Sequence, residues 1–264
     1  MKKIKIKNKQ EIEKMEISGK LTAKVLEMIK KYVNIGITTE EIDKICHDYI
    51  INKQKAIPAC LGYKGFPKST CISVNDVVCH GIPNKYKLKN GDIVNIDVSV
   101  IKNGYHGDAS KMFMVGKVNK KYKKLCKHTR KSLYIALKSI KPGIKISKLG
   151  KNIQKYISKK NFSIVEEYCG HGIGKKFHEN PQILHYYDNR EKTIIKKGMV
   201  FTIEPMINFG NKEVYCCKDG WTVKTMDNSY SAQYEHTVLV TNLGCNILTF
   251  QKDEKISKIL INKK

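Results

Sequence analysis

Arginine is nearly missing from this sequence. Only Arg130 and Arg190 stand among 50 basic residues; 24 acidic residues oppose them, leaving a net charge of +26. Arginine is the preferred residue for bidentate phosphate and base contacts, so its scarcity speaks against a specific DNA reader. The lysines are scattered through predicted helices and turns. With abundant Ile and Asn they read as AT-rich coding bias, and what they permit is a weak, salt-sensitive attraction to RNA. Long apolar runs are missing too. None approaches the roughly 18 residues of a membrane span, and charges break up the basic start MKKIKIKNKQEIEK, so it offers no signal-peptide core. These absences predict a cytoplasmic protein with no membrane partner. The nine cysteines include no CxxC pair, and Cys216-Cys217 are adjacent. That suits neither a structural zinc site nor an ordinary disulfide; reduced thiols in the core are the expectation. No linker or low-complexity tract divides the 264 residues, which suffice for a sizeable core.

What is present is dominated by the stretch GDIVNIDVSVIKNGYHGDASK, Gly91 to Lys111. Ile93, Asn95, Asp97 and Ser99 share one face, and Val94, Ile96, Val98 and Val100 the other, which is the strand period. Asn103-Gly104 is the dipeptide a type I′ turn favours, because both central residues need positive φ. Asp97 then opposes Ser110, and Asp108 is its diagonal neighbour on the same face. Carboxylates so placed repel unless a proton or a cation sits between them.

Three- and four-residue apolar steps predict a helix from Gln10 to about Val33, and Thr38 or Thr39 can cap a second from Glu40 to Gln54. Short strands follow at Cys71–Val74 and Val77–His80, then the hairpin. Further helices are expected at about Tyr122–Ile140 and Ser147–Lys159. Strands are expected at Ile164–Tyr168 and Gln233–Val240, a second hairpin from Lys212–Tyr215 and Trp221–Thr225, and a terminal helix over Asp253–Ile261. An internal repeat appears at an offset of 107: Gly36-Ile37 matches Gly143-Ile144, and KNGDIVNID (89 to 97) matches KKGMVFTIE (196 to 204), laying Asp97 on Glu204. Two related halves, each helix, helix, then strands, with the site between them, are the expectation. Two copies are too few for a solenoid.

Asp97, Asp108, His171, Glu204 and Glu235 are polar residues on apolar strands or in a glycine-rich loop. Singly, each has an ordinary structural explanation; together, four acids and an imidazole in one apolar frame suggest a metal site, since buried carboxylates need a compensating charge. Oxygen-rich coordination with one imidazole suits Mn(II), Fe(II), Co(II) or Zn(II), and four acids are better satisfied by two ions than by one. The segment GHGIGKK (170 to 176) is not a phosphate loop, because three residues rather than four separate its outer glycines and Lys follows the first Lys. His178 and His80 are further candidates. Cys60, Tyr63, Phe66, Cys71, Phe177 and Trp221, in loops near the acids, suit a narrow polarizable pocket for a thioether side chain.

The segments ACLGYKGFPKSTCISVNDVVCHGIP, GDIVNIDVSVIKNGYHGDASKMF, EYCGHGIGKKFHENPQ, GMVFTIEPM, KDGWTVKT and SAQYEHTVLV closely resemble type I methionine aminopeptidases of bacteria. The likeness covers essentially the whole chain. It implies the pita-bread fold: a pseudo-twofold α/β (α+β) single domain, 1–264, with a central antiparallel sheet and flanking helices, in halves of about 10–115 and 117–250. It implies removal of the initiator methionine from nascent chains whose second residue is small, in the cytoplasm, by a monomer. By resemblance, Asp97, Asp108, His171, Glu204 and Glu235 hold two divalent metal ions (Co, Mn, Fe(II) or Zn), bridged by Asp108 and Glu235, that activate a water. Glu204 then moves the proton, His178 stabilises the tetrahedral intermediate, and His80 contacts the scissile-bond nitrogen. Cys60, Tyr63, Phe66, Cys71, Phe177 and Trp221 match the methionine pocket, and Asn75, Val77 and Ser231 a monovalent-cation site. A weak electrostatic attraction to ribosomes would suit an enzyme of nascent chains. Departures from the family pattern are mostly surface Lys, Asn and Ile, as in Val214 to Cys217. The chain has no room for the inserted helical subdomain of type II enzymes, and it shows neither the extra N-terminal domain of X-Pro peptidases nor a zinc-finger extension. The competing readings are a catalytically dead binding module of the same fold and an X-Pro peptidase.

Overall fold

In the computed structural model the described residues are 4–261. The two ends of the expected domain and the first residues of the basic start lie outside them.

Asn8 starts the first helix. Its side chain accepts the Glu11 N–H while the Glu11 carboxylate accepts the Asn8 N–H, a capping box. The helix α1 (Lys9–Ile29) buries Met15, Val25, Leu26 and Ile29. Thr38 caps α2 (Thr39–Asp48) in the same way with Glu41, and a π-helical turn, Tyr49–Lys53, carries the chain on. Five strands follow: β1 (Ile57–Pro58), β2 (Cys71–Val74), β3 (Val77–Cys79), β4 (Ile93–Lys102) and β5 (Tyr105–Met114). Then come α3 (Lys120–Ser139), α4 (Ser147–Ile157), β6 (Ser163–Ile164), β7 (Gly170–Gly172), β8 (Glu179–Ile183), β9 (Val200–Ile203) and β10 (Met206–Asn208). The chain ends through β11 (Val214–Cys216), β12 (Val223–Thr225), β13 (Ser231–Gln233), β14 (His236–Val240), β15 (Gly244–Ile247) and β16 (Ile259–Ile261). No described helix is long and apolar enough to cross a membrane.

All the strand pairings are antiparallel. In the first sheet β4 pairs with β1, β2 and β5; the largest runs in the order β16-β15-β14-β9-β7-β8. Val94, Ile96, Val98 and Val100, the apolar face of β4, pack with Val25, Leu26 and Ile29 of α1 in one core cluster. A second cluster lies under α3 and α4, with Leu125, Leu133, Leu149 and Ile153 against Phe201 and Val238. Burying each such side chain contributes roughly 1.5–3 kcal/mol.

Helix α1 approaches β5 so closely that Gly107 has no room for a side chain. A Cβ there would lie 2.6 Å from the Gly19 nitrogen and the Ser18 carbonyl carbon, and Thr22 Oγ1 donates to the Gly107 oxygen at 3.0 Å. Gly107→Ala is therefore expected to destabilise the fold by about 1–3 kcal/mol. A lower denaturant midpoint at unchanged slope would register it; an unchanged midpoint would contradict the close packing.

The offset of 107 recurs in the backbone. The isolated bridge Thr38↔Lys87 has its counterpart in Lys145↔Ile194. Gly36 N–H donates to Leu88 O, and Gly143 N–H to Ile195 O. Across the returning strands the counterparts lie 125 apart. Asn95↔Met112 corresponds to Thr202↔Thr237, and Ser99↔Asp108 to Met206↔Gln233. The Asp97↔Ser110 pair therefore corresponds to Glu204 and Glu235, and Asp108 to Gln233.

The hairpin register is as expected, with Asp97 opposite Ser110. Three strand or helix expectations differ. The strand foreseen at Ile164–Tyr168 shrinks to β6. The strand foreseen at Gln233–Val240 is interrupted between β13 and β14, at Tyr234 and Glu235. The terminal helix over Asp253–Ile261 does not form. Leu260 there is buried between exposed Ile259 and Ile261, a two-residue period, and β16 pairs with β15.

Candidate metal centre

The β4–β5 hairpin and the later strands deliver carboxylates to one cavity. The hairpin β4–β5 carries Asp97 and Asp108 on the face opposite α1. Glu204 follows β9, where Pro205, lacking an N–H, ends the strand. Glu235 sits in the gap before β14, its N–H donating to Ser110 O at 3.0 Å, so the second half is stitched to the hairpin at this position. His171 is the middle residue of β7. Asp108, His171 and Glu235 offer ligand atoms that all lie within 4.8 Å of one another. His171 Nε2 is 3.6 Å from Asp108 Oδ2 and 3.7 Å from Glu204 Oε1, and Asp97 is close enough to Asp108 for the two to raise one another's cost of charge.

Several observations fit this set to divalent cations. Asp97 Oδ1 is buried without a hydrogen-bond partner, an arrangement that costs free energy unless something positive meets it. The ring Nδ1 of His171 contacts the Gly172 carbonyl at 3.0 Å. A carbonyl only accepts, so Nδ1 carries the proton, and the neutral ring has its lone pair on Nε2, facing the acids. In the protein alone, burial and mutual repulsion favour the protonated forms of three of the acids. Burial, then Asp108, raises Asp97 well above the usual range, and burial and the same neighbour raise Glu235. Glu204 is pushed up to about 7 by burial, against the pull of His171. Burial opposes charge on His171, but Asp108 and Glu204 outweigh it and its pKa stands above the ordinary value.

The cavity around these groups has a volume of about 280 Å³ and is lined by the five residues just described and by Cys60, Tyr63, Phe66, Cys71, His80, Phe177, His178 and Trp221. Phe66 meets Trp221 edge-on, and Tyr63 lies 4.9 Å from Phe177. His178 Nδ1 is 2.8 Å from the Tyr63 hydroxyl, and its pKa falls to about 4, chiefly through burial and then the charge of His171. Burial likewise lowers His80, which takes a left-handed φ of +54° at the end of β3. Asn75 and Ser231 also meet, away from the acids: Ser231 N–H donates to Asn75 O at 2.8 Å, and Val77 opens the adjoining β3.

Sequence reading missed the residues that hold the acids in place. Ser99 Oγ donates to Asp108 Oδ1 at 2.6 Å. Thr202 Oγ1 donates to Glu204 Oε1, and Gln233 Nε2 to Glu204 Oε2. His185, buried and pushed down to about 3 by burial alone, accepts the Glu204 N–H on Nε2. Thr237 pairs with the Asp108 backbone in both directions. Ser99 and Thr202 alternate with acids two residues away, and that period was their one signal. Tyr168 and Met206 line the cavity without any.

A pseudo-symmetric antiparallel frame around buried carboxylates and one imidazole defines a metal-dependent hydrolase. The sequence pattern of metallopeptidase family M24 matches residues 13–242, and the chain belongs to that family. The methionine aminopeptidase of Buchnera aphidicola subsp. Acyrthosiphon pisum (strain APS) is 64% identical over 258 residues, covering 97% of this chain and 98% of its own. That of Escherichia coli (strain K12) is 58% identical over the same shares. The crystal structure of methionine aminopeptidase from Rickettsia prowazekii matches with a TM-score of 0.92 at 48% identity, covering 94% of this chain and 100% of that one. The Thermotoga maritima enzyme gives 0.91 at 39%, with the same coverage. A prolidase from Pyrococcus furiosus shares the fold alone, at 24% identity and a TM-score of 0.73 over 66% of its length. The architecture is the pita-bread fold of these peptidases, and the donor set is one for divalent metal.

Proposed function

We propose that this protein removes the initiator methionine from new chains whose second residue is small, using two divalent ions. The observation that carries the reading is one cavity holding both the acid–imidazole cluster and a pocket of Cys60, Tyr63, Phe66, Cys71, Phe177 and Trp221. Asp97, Asp108, His171, Glu204 and Glu235 are the proposed ligands. By likeness to the family, Asp108 and Glu235 would be the two shared between the ions. When bound, the ions supply an activated water and polarise the carbonyl of the first peptide bond. Co, Mn, Fe(II) and Zn all suit the donors, and supply in the cell selects among them.

The chain's own residues do the rest. The apolar and sulfur-bearing wall takes the methionine side chain. Glu204, buried between donors from Thr202 and Gln233, takes up and hands on the proton. His178 is neutral at pH 7; with the Tyr63 hydroxyl on Nδ1, its Nε2–H donates to the oxygen that gains charge. His80, also held neutral, contacts the scissile-bond nitrogen. Asn75, Val77 and Ser231 are the proposed monovalent-cation site. We read the chain as one catalytic domain of two related halves, acting as a cytoplasmic monomer.

The test is release of methionine from a peptide series. Met-Ala-Ser is expected to be cleaved at least tenfold faster than peptides with Phe or Lys second, and faster than Xaa-Pro peptides lacking methionine. Preference for Xaa-Pro would replace this reading with an X-Pro peptidase, and no cleavage at all would leave a binding module.

Weak ribosome attraction is a further part of the proposal. Residues 109–165 contain no Asp or Glu and 17 Lys or Arg, so much of the positive charge sits on and around α3 and α4. Co-sedimentation with ribosomes should fall steeply between about 50 and 200 mM salt; salt-independent binding would refute the electrostatic basis.

A further inference from the structure

The segment ahead of α1 is tied to the loop that carries Phe177 and His178. Lys7 is almost wholly buried, and its Nζ lies 2.6 Å from Glu179 Oε2, a carboxylate equally buried and 172 residues away in sequence. The other carboxylate oxygen, Oε1, accepts the Lys176 N–H. The Lys7 N–H also donates to Gly198 O, at the turn into β9, so the main chain is held beside its ammonium. Gly174 leaves the passage open: a Cβ there would lie 2.5 Å from Lys7 Nζ and 2.9 Å from Glu179 Oε1.

The loop is thereby fixed at both ends. At Gly174 its carbonyl accepts from the His106 N–H, and His106 Nδ1 contacts the same oxygen at 3.0 Å. At Glu179 it is fixed by Lys7. Between these points lie Phe177, stacked on His106 with ring centroids 5.4 Å apart, and His178, which is adjacent to Glu179. A buried ion pair is a poor source of net stability, because desolvation offsets its attraction, but it does fix register.

We propose that Lys7 is a positioning residue. Through Glu179 it holds the 174–179 loop so that His178 meets the reacting carbonyl and Phe177 closes the methionine pocket. The inference rests on the roles given to those two residues above.

The test compares wild type with Lys7→Met, Glu179→Gln and the double variant, each loaded with metal. Either single change leaves a buried charge or polar group without its partner and lowers Tm. The double change removes both charges and should recover most of that Tm. For Met-Ala-Ser, kcat is expected to fall ten- to hundredfold in all three, because displacing a transition-state group by about 1 Å has effects of that size. KM should rise by a smaller factor than kcat falls, since Phe177 alone of the pocket wall is displaced and the walls outside the loop are untouched. Amide exchange across residues 174–180 should quicken in the same variants, an outcome readable without turnover. A double variant with recovered Tm, wild-type kcat and unchanged exchange would overturn the proposal and leave Lys7 a structural residue. Should wild type itself release no methionine, the proposed function fails, and the exchange measurement still decides whether Lys7 holds the loop.

Discussion

Asp97→Asn is expected to abolish turnover and, at alkaline pH, to stabilise the ion-free protein. The two effects share one cause. Asp97 is buried, one of its oxygens has no partner, and Asp108 and Glu204 repel its charge. On the proposed reading such a group is tolerated because a cation needs it. Asparagine keeps the volume and removes the charge, so the remaining acids repel less. It is also a far poorer ligand for a hard cation. The loss in kcat/KM for Met-Ala-Ser should be on the order of 10³-fold, comparable to the activation that bound metal supplies. The gain in denaturant midpoint should be larger at about pH 8.5 than at about pH 5, because the raised pKa of Asp97 lets it regain a proton as pH falls. A variant with near wild-type turnover, or one destabilised equally at both pH values, would contradict this account of Asp97.

The chelated wild-type protein should lose stability as pH rises through and beyond neutrality, and divalent metal should reverse the loss. Asp97, Glu204 and Glu235 have folded-state pKa values above their unfolded ones. An acid so shifted gives stability that is complete below its unfolded pKa and lost as pH climbs through the folded one. For Glu204, moving from 4.5 to about 7, the whole loss is on the order of 3 kcal/mol, spread between about pH 4.5 and 7, and roughly 1 kcal/mol of it is still to be lost above pH 6.5. His171, whose pKa is also raised, acts in the same direction. His178 and His185, held neutral by burial at about 4 and about 3, act in the other, losing stability as pH falls below about 6.5. The informative window is therefore about pH 6.5 to 8.5, over which the opposing charging of these two in the unfolded chain fades. Melting of the chelated protein across that window should show a falling Tm, and added Mn(II) should raise Tm more at pH 8.5 than at 6.5. A Tm flat in pH with a metal response equal at both ends would mean that the carboxylates do not confront one another.

The hairpin was legible in the sequence because each local rule agreed. Alternation, an Asn-Gly turn and a buried valine face all required one register, and Asp97 opposite Ser110 followed from it. The repeat was legible only in part. The 107 offset is visible in Gly36 and Gly143 and in Asp97 and Glu204, but the returning strands lie 125 apart, and no single offset could align Asp108 with anything. The structure supplies the pairing: Asp108 corresponds to Gln233, whose amide serves Glu204. The residues that orient the acids were not legible, because Ser99, Thr202 and Thr237 look like ordinary strand residues until their hydroxyls are placed. Lys7 and Glu179 lay further out of reach: in a chain so rich in lysine, nothing marks one as buried until the fold closes over it. The terminal helix failed for a simpler reason. Ile256, Ile259 and Leu260 have helical spacing, yet the free edge of β15 offered them a ladder.

The central claim, that five side chains from both halves form one working two-metal site, is tested most directly by titrating chelated protein with Mn(II) or Co(II) while following methionine release from Met-Ala-Ser and metal bound per chain. The account predicts no turnover without metal, full turnover restored by added metal, and saturation at two ions per chain, with Glu235→Gln reducing the bound count. Turnover that persists in excess chelator, or a protein that fills with metal and still leaves Met-Ala-Ser intact, would contradict it.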